Sequence, residues 1–303
     1  MAADLGVRLA GWTSSERRDV YVEAYRTAQE LWSAPVEDLD VPTRYGVTHA
    51  LVSGPADARP LFLLHAAFNT GAIQWYQNAG RLSQSRRVVA LDFVGAPGLS
   101  VQTAPILDRA DCADWLGDVV ESFDLDTCDL VGSSQGGWLS LNFAVAYPSR
   151  VAKLALLAPA AALLPFRKAA LVSIRLGPFM PGWTAGPSLK PVFGKRHRVD
   201  DRIVALLENS LRHYRFQEHP VIPDVFSDQD LQSVEADTLI MYGDKEIIYD
   251  PESALERAES LMKNVETELM PNVGHLLNVE QPEYIDQRLL RFLGSRSQDG
   301  GAN

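Results

Sequence analysis

The sequence predicts an α/β protein, a doubly wound and mostly parallel sheet interrupted by a helical lid. Three observations predict it. Short apolar runs rich in Val, Ile and Leu alternate with longer amphipathic stretches. Several of those runs lack inside–outside alternation, as strands covered on both faces should. One Pro- and aromatic-rich stretch, Pro159–Gln232, breaks the alternation. At 303 residues the chain could form two domains or one large α/β domain with an insertion.

The elements follow in order. Thr13-Ser14-Ser15-Glu16 has capping-box spacing and predicts an N-terminal helix near Glu16–Leu31 that precedes the sheet. Strands are expected at Thr48–Ser53, Leu61–His65, Val88–Asp92, Cys128–Ser133, Val151–Leu157, Leu239–Tyr242 and Thr267–Met270. Helices are expected between them at Gly71–Leu82, Ala110–Phe123, Gln135–Tyr147, Pro251–Met262 and Pro282–Phe292. Asp250-Pro251 sets a cap acceptor before a proline at a first helical position. Right-handed crossovers between parallel strands then give helices on both faces.

Pro159–Gln232 holds Phe166, Phe179, Trp183, Phe193, Tyr214, Phe216 and Phe226, with helical spacing near Asp200–Phe216. An insertion of that length between two strands is usually functional. The expected organisation is an N-terminal helical extension over residues 1–42, a core over 43–158 and 233–295, a lid over 159–232 and a disordered tail over 296–303.

Composition narrows the partners. The chain carries 39 acids against 28 bases, a net charge of −11, so no phosphate-tracking surface and no nucleic-acid partner is expected. Two cysteines, Cys112 and Cys128, make neither a disulfide scaffold nor a zinc-ligand pattern and are read as buried small hydrophobes. Asp4 and Arg8 interrupt the apolar residues of the N-terminus, and Pro159 and Pro165 interrupt Leu154–Phe166, which is also shorter than the roughly 20 residues of a membrane span. The expectation is a cytoplasmic protein without a membrane partner. No repeat signals a solenoid, and no Gly-x-Gly-x-x-Gly after an early strand signals a dinucleotide site.

The strongest chemical signal is Asp129-Leu130-Val131-Gly132-Ser133-Ser134-Gln135-Gly136-Gly137, an apolar strand running through Gly-x-Ser-x-Gly into a helix. A nucleophile on so tight a turn has strained dihedrals, and glycines on either side let neighbouring backbone pack close. Its hydroxyl projects at a helix N-terminus, which favours developing negative charge. Ser134 is the candidate nucleophile. The competing reading is a glycine-rich turn that Ser133 or Ser134 merely caps.

Serine needs a base, and behind such an elbow the acid and then the histidine follow in the chain. Of the later histidines, His197, His213 and His219 fall in the lid, whereas Asn272-Val273-Gly274-His275 follows the last strand. His275 is the candidate base. The orienting acid should leave the preceding strand's end, where Met241-Tyr242-Gly243-Asp244-Lys245-Glu246 supplies two carboxylates. Glu246 is preferred because the loop turns back there. Asp244 is the alternative acid or a turn-former.

An oxyanion hole needs two converging amides. Gln135 should give one, and the loop His65-Ala66-Ala67-Phe68 the other, with Ala67 preferred and Ala66 in reserve. Candidates to line the substrate site are Phe68, Trp75, Trp138 and Trp183, although residues such as Trp75 and Trp138 are more often core packing than ligand contacts. His65 is expected to buttress the oxyanion loop, His49 to be structural, and Asp92 to fix a loop through backbone amides. Lys195-Arg196-His197-Arg198 reads as a solvated face.

Together these residues resemble the α/β-hydrolase superfamily, and in particular its lidded bacterial carboxylesterases. The likeness spans about Thr43 to Leu293. It rests on Leu63-Leu64-His65, Asp92-Phe93-Val94-Gly95-Ala96-Pro97-Gly98-Leu99-Ser100, the Ser134 elbow, Tyr147-Pro148-Ser149-Arg150-Val151, Gly243 to Asp250, and Gly274-His275. The resemblance implies a cap after the fold's sixth strand and a triad of Ser134, Glu246 and His275. Two positions depart from the pattern: Ala66 stands where glycine is usual and Glu246 where aspartate is usual.

The expected activity is hydrolysis of a small-molecule ester-type substrate, with a lactone or thioester open to the same chemistry, through an acyl-enzyme and without metal or organic cofactor. The scaffold also hosts lyases, acyltransferases, cofactor-free haloperoxidases, cyclases and non-catalytic receptors. Ala66 and the apolar lid keep those alternatives open, and no motif specifies an oligomeric state.

Overall fold

The computed structural model describes residues 6–167 and 200–294. Along these run strands β1 (Gly11–Trp12), β2 (Glu37–Thr43), β3 (Gly46–Ser53), β4 (Pro60–Leu64), β5 (Arg87–Leu91), β6 (Val101–Gln102), β7 (Cys128–Ser133), β8 (Val151–Leu157), β9 (Tyr214–Arg215), β10 (Asp237–Gly243) and β11 (Val265–Met270). The α-helices are α1 (Ser15–Gln29), α2 (Gly71–Leu82), α3 (Arg109–Glu121), α4 (Gln135–Ala146), α5 (Asp201–His213), α6 (Asp228–Ser233), α7 (Pro251–Leu261), α8 (Leu277–Glu280) and α9 (Pro282–Gly294).

The main sheet has the order β11-β10-β8-β7-β4-β5-β3-β2, with β6 paired to β3. From β11 to β5 every neighbour is parallel. β3 runs antiparallel to both β5 and β2. This is the doubly wound, mostly parallel arrangement that the strand–helix alternation predicts, and the α/β-hydrolase fold that the resemblance implies. Its middle strands are the most apolar: Leu61, Phe62, Leu63, Leu130, Val131, Leu154, Ala155, Leu156 and Leu157 are all 0% exposed. Each fully buried Leu or Val side chain contributes about 1.5–3 kcal/mol of transfer free energy, so the sheet holds its site on a rigid body.

Helix starts follow the capping logic. Ser14 accepts the Arg17 amide, Thr70 the Ile73 amide, Asp108 the Asp111 amide, and Asp250 the Ser253 amide ahead of Pro251. The free cysteines are buried, and burial pushes each thiol up to about 12.

β2 was not foreseen. Its Glu37, Asp38, Asp40 and Pro42 obscure the strand pattern and only Val41 is buried, as suits an edge strand that resists further pairing. It brings the chain into the sheet inside the stretch assigned to the N-terminal extension. Counted with it, and leaving out the two-residue β1 and β6, β8 is the sixth strand and the lid stretch follows it. The short helices α6 and α8 were also missed. A capping box at Ser227 and Asp230 forms α6.

Within the lid stretch, helix spacing overran at its end. α5 stops at His213, and Tyr214–Arg215 goes extended to pair antiparallel with Gly11–Trp12. α1 packs along α5, and Trp12 stacks between Tyr21 (4.1 Å between centroids) and Tyr214 (5.0 Å). Phe179, Trp183, Phe193, Lys195-Arg196-His197-Arg198 and the 296–303 tail lie outside the described residues. No helix among the described residues is long and apolar enough to cross a membrane.

Candidate active site

Parallel strands deliver their C-terminal ends to one edge, and the predicted residues gather there. β7 ends at Ser133, and Ser134 follows at φ 50°, ψ −112°, a conformation that costs a non-glycine residue about 1–3 kcal/mol. Close packing holds it. A Cβ on Gly136 would lie 2.3 Å from the Leu64 carbonyl oxygen and 2.7 Å from that of His65, so only glycine lets α4 begin against the end of β4. The Ser134 side chain makes no capping bond to α4, which removes the reading of Ser134 as a mere cap.

The hydroxyl instead faces a histidine. Ser134 Oγ lies 2.9 Å from His275 Nε2, and His275 Nδ1 lies 2.6 Å from Glu246 Oε2. All three residues are buried. The other carboxylate oxygen of Glu246 accepts the Ile248 amide at 2.8 Å. Burial by itself raises the Glu246 carboxyl. The His275 imidazole, the hydrogen bond to it and the amides of Ile248 and Ile247 outweigh that and hold the group below the usual glutamate range. A carboxylate acceptor on Nδ1 fixes the tautomer that leaves Nε2 free to accept from the serine hydroxyl. Gly274 is held by Glu280, whose two carboxylate oxygens accept its amide at 3.1 Å.

Asp244, the alternative acid, turns away: its Oδ2 pairs with Lys245 Nζ at 2.9 Å, and that neighbour lowers its carboxyl. Its backbone N–H donates to Met270 O.

The oxyanion loop is fixed from behind. Ala66 O accepts from His65 Nδ1 at 2.8 Å and from the Asn69 amide at 3.2 Å. A trans peptide directs its N–H opposite to its C=O, so anchoring Ala66 O aims the Ala67 N–H the other way. The Ala66 amide itself points to Gln74 Oε1 at 3.4 Å. His65 Nε2 accepts the Phe93 amide at 3.0 Å, which makes Nδ1 its donor, and burial lowers its pKa and keeps it neutral. Asp92, 0% exposed, accepts the amides of Gly71 and Leu99, both at 2.8 Å. His49 bonds Asp40 Oδ1 at 2.9 Å on the far edge. Ala66 needs no glycine-like dihedrals, because the left-handed residue of this loop is Phe68, at φ 61°.

Of the substrate-site candidates, Phe68 is exposed and its ring meets Phe216 of the lid stretch edge-on at 5.5 Å. Trp75 and Trp138 are corrected to core residues. Trp75 is 0% exposed, and Trp138, 1% exposed, donates Nε1 to Asp224 O and stacks near Phe226. Large flat side chains on helices that cover the sheet bury most area when packed inward. Trp183 lies outside the described residues.

Gln74, Asn78 and Asn278, buried carboxamides behind this edge, belong to none of the sequence motifs. A signal existed: Gln74 and Asn78 share one helical face with apolar neighbours Ala79 and Leu82. Among the described residues, no group of three or more His, Cys, Asp or Glu side chains could hold a metal ion.

Residues 61–287 match the model of the alpha/beta hydrolase family. Carboxylesterase YbfK of Bacillus subtilis (strain 168) is 36% identical over 287 residues, spanning 90% of this chain and 93% of that protein. An uncharacterized carboxylesterase of the same organism, nap, is 33% identical over 286 residues, spanning 91% and 93%. The crystal structure of naproxen esterase (carboxylesterase NP) from Bacillus subtilis superposes with a TM-score of 0.87 at 31% identity, covering 93% of this chain and 99% of that one.

Proposed function

The chain belongs to the alpha/beta hydrolase family and is a carboxylic ester hydrolase, and from that premise we propose that Ser134, His275 and Glu246 are its catalytic triad. The observation that carries the reading is the unbroken chain of short contacts, 2.9 Å from Ser134 Oγ to His275 Nε2 and 2.6 Å from His275 Nδ1 to Glu246.

In the reaction, His275 Nε2 takes the hydroxyl proton as Ser134 Oγ attacks the acyl carbon of the ester. The carbonyl π bond opens and its oxygen gains negative charge between the amides of Gln135 and Ala67. Glu246 orients the imidazole and stabilises the imidazolium without taking its proton. Collapse expels the alcohol, which takes the proton from His275, and leaves the acyl group on Ser134. His275 then takes a proton from a water whose oxygen attacks the acyl carbon, and collapse breaks the bond to Ser134 Oγ, returns the proton to it and frees the acid. The same attack opens a lactone or a thioester, since each presents an acyl carbon bonded to an oxygen or sulfur that can leave it.

Phe68, beside the oxyanion amides and against Phe216, is the described aromatic that would meet the substrate. An apolar wall there favours an aryl or branched ester over a charged one.

Replacing Ser134 by Ala is expected to lower kcat on a p-nitrophenyl ester by roughly 10³-fold or more and to abolish covalent labelling by a fluorophosphonate. Labelling of the purified wild type at another residue, found by mass spectrometry, or retained turnover by Ser134→Ala would reject the assignment.

A further inference from the structure

Behind the catalytic edge runs a closed chain of buried carboxamides that the triad chemistry does not use. Gln74 of α2 is its centre. Gln74 Oε1 accepts from Asn69 Nδ2 at 2.6 Å and from the Ala66 amide at 3.4 Å, both in the oxyanion loop. Its Nε2 donates to Asn278 Oδ1 at 2.8 Å and to Ser133 Oγ at 3.4 Å. Asn278 lies on α8, which follows His275, and its Nδ2 donates to the Gln74 backbone carbonyl at 2.7 Å and to Asn78 Oδ1 at 3.1 Å. Asn78 Nδ2 closes the chain on Asp286 Oδ1 at 2.8 Å.

All six side chains, Asn69, Gln74, Asn78, Ser133, Asn278 and Asp286, are at most 5% exposed. Burying carboxamides is unfavourable unless every hydrogen bond is made, and apolar packing would fill this space without that demand. What a fully satisfied network adds is a single permitted arrangement of its members. The members here are the supports of three separate parts: the oxyanion loop, the residue before Ser134 and the helix after His275. The orientation of the Gln74 amide is fixed as well, since its oxygen faces two N–H donors and its nitrogen faces an acceptor.

We propose that Gln74 is a positioning residue that clamps the oxyanion loop to the His275 loop, fixing where the Ala67 amide stands relative to His275 and Ser134. The proposal rests on the triad and oxyanion reading above. Gln74 touches no reacting atom. Its effect should therefore fall on the transition state and spare ground-state binding.

The test is Gln74→Met in the full-length protein, a side chain of similar length with no hydrogen-bonding group. On p-nitrophenyl acetate kcat should fall roughly tenfold to a hundredfold with KM within about twofold. The inhibition constant of a trifluoromethyl ketone, which forms a tetrahedral adduct on serine, should rise by the same factor as kcat/KM falls. A loss of packing alone would lower the melting temperature without that parallel. Should Gln74→Met not melt cooperatively, Gln74→Met/Asn278→Leu removes the Gln74–Asn278 donor and acceptor together and carries the same thresholds.

A folded variant with kcat and inhibition constant within about twofold of wild type would overturn the clamp. Fluorophosphonate labelling separates the two failures. If wild-type Ser134 does not label, the triad reading falls and the clamp with it. If Ser134 labels and the variants behave as wild type, only the clamp falls.

Discussion

The two ends of the main sheet do different work. From β5 to β11 the strands are parallel, so β4, β7, β10 and β11 all release their chains on one edge, and Ala67, Ser134, Glu246 and His275 meet there from distant parts of the sequence. The antiparallel end, β2 and β3, contributes none of these residues. It accompanies an N-terminal arm whose β1 pairs with β9 and whose α1 packs on α5. Parallel topology concentrates loops, whereas the N-terminal arm braces the lid stretch. Substitutions at the two ends should therefore differ in kind: loss of turnover at one, loss of fit and stability at the other.

The sharpest way to break this contrast is at Glu246. Glu246→Gln removes the charge that stabilises imidazolium and should lower kcat by about 10³–10⁴-fold, as loss of the acid does in other triads. Asp244→Asn, beside it but paired with Lys245, should stay within about twofold. Steady-state kinetics on the two variants decide which carboxylate serves His275, and equal losses would dissolve the distinction.

A smaller effect is expected from the arm. Trp12→Ala removes the ring held between Tyr21 and Tyr214. It should cost about 1–3 kcal/mol of stability, read as a lower melting temperature. KM for a bulky aryl ester should rise severalfold while kcat on an acetate ester holds. A kcat loss with unchanged KM would place the arm among the parts that tune turnover.

The smallest effect concerns Asp286, at the end of the carboxamide chain, whose carboxyl is pushed up from 3.8 to about 6, chiefly by burial. The folded protein holds this proton more tightly than the unfolded chain. Its stabilising effect is full below the ordinary aspartate range and is lost as pH rises through about 6. Asp286→Asn should flatten that dependence and gain about 1–2 kcal/mol near pH 7, with little gain near pH 4. Melting curves at the two pH values check the sign.

The sequence made the parallel end legible because its signals are local. An apolar strand, a Gly-x-Ser-x-Gly turn and a Gly-His pair each declare themselves within a few residues. The choice between Asp244 and Glu246 was not local, since it depends on how the loop folds back, with the Glu246 amide bonded to Gly243 O. β2 was obscured because an edge strand carries charges that read as loop. The carboxamide chain stayed hidden because its bonds join residues far apart in sequence, Gln74 and Asn278 among them. Trp75 and Trp138 were ambiguous because an aromatic on an amphipathic helix, though more often core, also suits a ligand site.

The entry to the lid stretch carries a practical consequence. Ser134 N–H donates to Leu157 O, Ala158 N–H to Met241 O, Ala160 N–H to Ser134 O, and Ala161 N–H to the Tyr249 hydroxyl. Phe226 N–H returns to Ala162 O, and Arg257 reaches both Leu163 O and Phe226 O. Residues 158–163 are thus mechanically part of the body that carries Ser134, although they follow the last strand before the insertion. Anyone exchanging this insertion for a foreign one should place the junctions after Leu163 and before Phe226. A splice at Pro159 would replace the residues that hold the serine turn in its strained shape, and the graft would lose turnover before the new lid could express any preference of its own.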